Sequence, residues 1–229
     1  MDKVRLKKII RENPCGRLLL NGRKHIVDAV CFLMRRKYIS VLMKKLDDDT
    51  SIISSNCFAG RVMQDLKMKY NSPTLGLYFM YPDYIEFLSH LKYYLTEAKI
   101  EFVEHSKYKL GDERRANWKH WYPIGLLGGK VEIHFLHYHT EEEAAEKWYR
   151  RAARVNFSKL LVIGMEQNRC TANDIMAFDK LPFEHKWIFT SKDIRNKSNI
   201  YMKEFARRGE VGDPYRKAHL FYRYLLDKL

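Results

Sequence analysis

Three groups of polar residues have the types and spacing to do chemistry. The first is Ser55-Asn56-Cys57, which follows the short apolar run Thr50–Ser54 and precedes a helical stretch over Arg61–Met68. A thiol at a helix N-terminus meets the positive end of the helix dipole and unpaired amides, both of which favour thiolate. Cys57 is therefore a candidate nucleophile. Asn56 and the surrounding amides are a candidate oxyanion site, with Ser55 beside them and Gly60 where the backbone can approach a ligand. The competing reading is a cysteine packed under the turn while Asn56 satisfies local amides.

The second group is Glu132, His134, His137 and His139 in VEIHFLHYHT. Strand alternation puts Glu132 and His134 on one face and the two later histidines on the other. His137 and His139 lie nearer the carboxyl end, so His137 is the candidate general base and His139 a ligand contact. A zinc site drawn from Cys57, His137, His139 and Cys170 matches no usual ligand spacing, and no metal is expected. The third group follows on the next helix: Lys147, Arg150, Arg151 and Arg154. Glu143–Lys147 and Glu146–Arg150 fit i,i+4 pairing, which leaves Arg151 and Arg154 for phosphate oxygens.

These groups need a scaffold that brings strand ends together. Apolar runs at 50–54, 75–81, 130–138, 160–163 and 186–190 read as strands. Helical spacing recurs at 82–98 and from the cap Thr140-Glu141-Glu142-Glu143 to about Arg154. The alternation predicts an α/β fold with a mostly parallel sheet covered by helices on both faces, Rossmann-like, and such sheets bind ligands beyond the carboxyl ends of their strands. The expected organisation is a basic helical extension at 1–46, an α/β domain at 47–192 and a C-terminal helical segment at 193–229.

The chain has 229 residues, a formal net charge of +14 and four cysteines without a CxxC pair. Its 46% hydrophobic and 31% charged residues exclude a disordered or disulfide-scaffold class. Residues 1–45 hold 13 Lys/Arg against 3 Asp/Glu, whereas 46–202 are nearly balanced. A nearly neutral centre argues against nucleic acid as the partner. The segment Ala29–Leu46 mixes apolar residues with Arg35, Arg36, Lys37, Lys44 and Lys45. It reads either as a helix packed on its own domain or as one lying on an anionic bilayer. The expected location is cytoplasmic, with peripheral contact at the inner membrane face as an option. P-loop, GxGxxG, GxSxG and HExxH motifs are missing. The acidic run Asp47–Asp49 reads as a solvated turn.

An ordered string of segments resembles a bacterial family named for exopolysaccharide or capsule biosynthesis, whose domain has no assigned function. It comprises Ser55–Gly60, Tyr70-Asn71-Ser72-Pro73-Thr74, Trp121–Gly125, Val131–Tyr138, Glu142-Glu143-Ala144, Lys147-Trp148 to Asn156, Phe178–Phe183 and Phe189-Thr190. The resemblance covers about residues 38–192. It adds Asn71 and Ser72 to the candidate ligand contacts and implies a polysaccharide or lipid-linked saccharide precursor as partner. Three functions follow as expectations. One is an acyltransferase acting on a sugar hydroxyl with acetyl-coenzyme A, and another is a glycosyltransferase using a nucleotide sugar. The third is a non-catalytic module that holds a synthesis complex at the membrane surface.

Overall fold

The computed structural model describes the backbone of residues 14–229 and the side chains of residues 25–229 other than Asp28. Residues 1–13 of the expected basic extension lie outside the described residues. In chain order the elements are α1 (Pro14–Lys45), β1 (Ser51–Ser54), α2 (Phe58–Leu66), α3 (Tyr81–Ser89), α4 (Leu91–Thr96), β2 (Ile100–Val103) and α5 (Lys109–Ala116). Then come β3 (Ile124–Leu127), β4 (Val131–His134), α6 (Glu141–Ala152), β5 (Leu160–Met165), α7 (Ala172–Lys180), β6 (His185–Thr190), β7 (Asn199–Tyr201) and α8 (Ala218–Leu226).

The fold is mixed α/β with two sheets. Strands β1-β5-β6-β7 form a parallel sheet, and β2-β3-β4 an antiparallel one. Alternation along the parallel strands separates two cores. Ile53, Val162 and Ile188 face a core shared with α3, α4, α6, α7 and the antiparallel sheet. Ile52, Ile163 and Phe189 face the other, built from Leu42 of α1, Phe58 and Val62 of α2, and Phe221 and Tyr222 of α8. Both faces of the parallel sheet are thus covered. The C-terminal helix is part of a core, packed against α1.

Two expected strands change character. Leu75–Tyr81 forms no strand: residues 75–80 run as an irregular segment with a single antiparallel bridge from Tyr78 to His134, and Tyr81 opens α3. Its amides are divided, Tyr78 N donating to His134 O and Phe79 N to Ser55 O. It therefore ties the end of β1 to the end of β4 and extends neither sheet. The strand expected over 130–138 stops at His134, where Leu136 N turns back to the His134 carbonyl, and it pairs antiparallel with β3. Among the described residues no helix is long and apolar enough to cross a membrane.

Candidate functional site

A cleft of about 970 Å³ opens beyond the carboxyl ends of β1 and β5, at the seam between the two sheets. Its floor comes from Asn56 and Cys57 after β1, Gln167 and Asn168 after β5, and the bridging segment at Leu75, Gly76 and Tyr78. One wall is α6 (Lys147, Arg151) with His137 and Tyr138. A second is α5 and its exit (Arg114, Trp118, Lys119), and the third is the stretch before α8 (Glu210, Asp213, Pro214, Tyr215). Crevices at strand ends are where open parallel sheets receive ligands.

Cys57 lines this cleft, but the expected thiolate does not form there. Its Sγ lies 3.6 Å from the Leu77 carbonyl and is placed to donate to it. Burial, reinforced by the Asp213 carboxylate, pushes the thiol up to about 12. The helix-dipole argument fails because the first amides of α2 are already used. Phe58 N donates to Asn56 Oδ1 at 3.1 Å, and Ala59 N to Ser54 Oγ at 3.1 Å. Asn56 is likewise committed, its Nδ2 donating to Gln167 Oε1 at 2.8 Å. The oxyanion site expected around Cys57 is thus internally satisfied.

His137 faces the same cleft, with its ring edge on to Trp118 at 6.4 Å. The cleft walls desolvate the imidazole, and His120 and Lys119 add positive field, so its pKa lies below the ordinary histidine value. It is neutral at neutral pH and able to accept a proton. No hydrogen bond joins it to Cys57, whose sulfur is turned to Leu77. His139 stays exposed outside the lining, its ring 4.7 Å from that of His120.

The remaining expected residues divide by place. Arg151 lines the cleft, donating to Tyr138 Oη at 2.6 Å, with its guanidinium over the Tyr70 ring. Arg154 is exposed and outside the lining, because α6 ends at Ala152 and the chain turns away. Gly60 lines the cleft, yet a β-carbon there would meet Leu75 only at an ordinary 3.7 Å. Ser55, Asn71 and Ser72 are buried beneath it and act as ties. Ser55 O accepts from Phe79 N, Asn71 O accepts from Ser51 Oγ, and Ser72 Oγ bonds Thr74. Both expected helix pairs are present, Glu143–Lys147 at 2.5 Å and Glu146–Arg150 at 2.6 Å. Thr140 caps Glu143 N, while the Glu143 carboxylate reaches His139 N, one residue earlier than a reciprocal box would place it. Cys170 is not among the cleft residues. Among the described residues no cluster of three or more His, Cys, Asp or Glu is placed to hold a metal.

Sequence reasoning missed the second wall. Arg114 donates to Asn168 Oδ1 at 2.8 Å and lies 4.7 Å from the Tyr78 ring centre. On its other side Tyr78 stacks on the buried His134 at 4.4 Å and 12°. His134 Nε2 meets Glu132 Oε1 at 2.8 Å, and Glu132 also accepts from Ser106 Oγ and Lys107 N. Burial would raise that carboxyl, but these bonds outweigh it and hold it below the ordinary glutamate value. The Glu132–His134 pair is thus a buried brace for Tyr78 and Arg114. Its signal was the same-face spacing of 132 and 134; nothing local pointed to Arg114.

The family match comes from comparison with known sequences. Residues 30–228 match the family described as a domain of unknown function, DUF1919. The chain belongs to this family. A DUF1919 assignment over 30–228 reaches well past the 38–192 stretch read from motifs, and it takes in α8 and the third cleft wall. An uncharacterized protein of Haemophilus influenzae is 36% identical over 174 residues, covering 75% of this DUF1919 chain and 77% of the relative. Neither description mentions exopolysaccharide or capsule synthesis.

Proposed function

We propose that the cleft is the active site of a transferase that moves a group from a diphosphate-bearing donor to a saccharide hydroxyl. The observation that carries this reading is the convergence of Arg114, Lys119, Lys147 and Arg151 with Tyr70, Tyr78, Trp118 and Tyr138 around a neutral His137. Guanidinium forks suit phosphate oxygens, and aromatic faces suit sugars and bases. Lys119 has no carboxylate partner among the described residues and is free to meet an anion. The volume sits at the upper end of small-molecule clefts, as a nucleotide-sized donor requires.

His137 is the general base that takes the proton of the acceptor hydroxyl, and the hydroxyl oxygen attacks the transferred carbon, breaking its bond to the coenzyme A sulfur or to the nucleoside diphosphate oxygen, which leaves with the electron pair. A covalent Cys57 intermediate is disfavoured, since a thiol pushed up to about 12 is almost wholly protonated at neutral pH. Acetyl-coenzyme A and nucleotide sugars share the diphosphate, and acyl and glycosyl transfer are the two forms of this proposal. The placement of the cleft at strand ends is what a Rossmann-like sheet would use. The motif resemblance supports a polysaccharide or lipid-linked precursor as acceptor.

Calorimetric titration with acetyl-coenzyme A and with uridine and guanosine diphosphate sugars tests the proposal. One donor class should bind, and Arg114→Ala and Arg151→Ala should each weaken it about ten- to hundredfold, as loss of a charge-assisted bond does. His137→Ala should keep binding and lower transfer at least about a hundredfold. Absence of binding by every donor, or binding untouched by both arginine changes, would overturn it.

A further inference from the structure

We propose that the outward face of α1 is a docking surface for an anionic lipid bilayer, separate from the cleft. Helix geometry and burial agree on which side is outward. Arg35 and Leu42 are buried against α2 and α8, and Tyr38 and Ile39 are half-buried beside them. At about 100° per residue the opposite line runs through Ile26, Val30, Leu33, Lys37, Val41 and Lys44. Every one of these six is exposed, Ile26 at 66% and Leu33 at 63%, and Val27, Phe32, Met34 and Met43 off this line are exposed as well, so the uncovered apolar surface widens around the helix. Scattered exposed apolar residues need no explanation, but a row along one helix does.

The charge pattern selects the occupant. The apolar end of the line, Ile26 to Leu33, spans about 10 Å at 1.5 Å per residue, too short to cross a bilayer. It passes directly into Lys37 and Lys44, and Arg36 and Lys45 are exposed alongside them. Across residues 25–45 the sequence holds five Lys/Arg and a single acid, Asp28. A second copy of α1 laid parallel on this face would bring the same cations against one another, and an antiparallel one would leave them without an anion. Lipid phosphates complement them, and lysine stems can lie along the apolar boundary with their ammonium groups in the headgroup layer.

The test is flotation of the full chain with vesicles of equal parts phosphatidylcholine and phosphatidylglycerol, and with phosphatidylcholine alone. Binding should be confined to the anionic vesicles and fall in about 1 M salt, where screening shrinks to about 3 Å. Leu33→Glu should abolish it, and Lys37→Gln and Lys44→Gln should weaken it about fivefold each. All three positions are exposed, so the variants should melt with the parent protein, which keeps a loss of binding separable from unfolding. Equal binding to both vesicle types, or retention of binding by Leu33→Glu, would overturn the proposal. So would the absence of vesicle binding together with a dimer in ultracentrifugation that Leu33→Glu dissociates, since that assigns the face to a second copy.

Discussion

Asp65 is where α1, α2 and α8 meet. Its Oδ2 lies 2.8 Å from Arg35 Nε and 3.1 Å from Arg61 Nε, and it accepts from Tyr222 Oη at 2.8 Å. The Arg35 and Asp65 side chains are each only 8% exposed. Asp65→Ala would leave Arg35 charged and buried without its partner, which costs about 3–5 kcal/mol. That is a large share of the roughly 5–15 kcal/mol that holds a domain folded. At about 2–4 °C per kcal/mol for a chain of this size, the melting midpoint should fall by about 10 °C. Urea unfolding followed by circular dichroism measures the loss. Arg35→Met with Asp65→Leu removes the buried pair and should recover the share due to Arg35, because that share is an orphaned charge, while Arg61 and Tyr222 lose their acceptor in both variants. A single-variant loss below about 1 kcal/mol would mean that the pair behaves like a solvated surface pair and would refute the reasoning. A double variant as unstable as Asp65→Ala would refute it from the other side, by showing that packing and not charge is at stake.

Other predictions follow from the brace and the floor of the cleft. The Glu132 carboxyl is held below its unfolded value, so its contribution is complete above the unfolded pKa and lost as pH falls through the folded one. Glu132→Gln should therefore cost about 2–3 kcal/mol at neutral pH and flatten the acid limb of stability against pH; an unchanged acid limb would argue against it. Cys57 should alkylate with iodoacetamide far more slowly than a free thiol at pH 8, as peptide mass spectrometry would show, and rapid labelling would contradict its protonated, bonded state. Gly60→Ala should be neutral or stabilise by up to about 1 kcal/mol through helix propensity, since the added carbon meets only Leu75. Gly111→Ala should do the opposite. A β-carbon there would collide with Ser106 Oγ and come within 2.7 Å of His134 Cε1, so about 1–3 kcal/mol should be lost in thermal unfolding.

Three of the four parallel strands were legible because they are apolar on both faces; β7 (Asn199–Tyr201) was not, and it lies in the 193–229 segment expected to be helical. TSIIS, LLVI and KWIFT each carry their own signal, and the cap at Thr140 announced α6. Of the antiparallel sheet only β4 was legible, inside the strand expected over 130–138. Its strands have four residues each, and β2 alternates too weakly to stand out from the polar stretch around it. LGLYFMY read as a strand because burial makes a sequence apolar whether or not a ladder forms. Here a single bridge and Phe79 N→Ser55 O take the place of strand pairing. In the cleft, Cys57, His137 and Arg151 were found because each sits within or just beyond an element with a clear pattern. Arg114, Trp118 and Tyr215 were missed because they reach the cleft through tertiary packing of segments without a periodic signal. The thiolate expectation erred for a related reason: the dipole rule assumes free amides, and Asn56 and Ser54 had already taken them.

The core beneath α1 draws on Leu42, Phe58 and Val62 at one end of the sequence and on Phe205, Phe221, Tyr222 and Leu225 at the other. A ribosome delivers these groups at widely separated times. Until residues 205–225 emerge, one face of the parallel sheet is open and the cleft lacks its third wall, so a nascent chain has neither a finished core nor a complete cleft. Contacts this distant in sequence also slow the folding search. During synthesis the apolar side of β1 and α2 therefore stays uncovered, and a chain stalled short of residue 205 would be prone to aggregate.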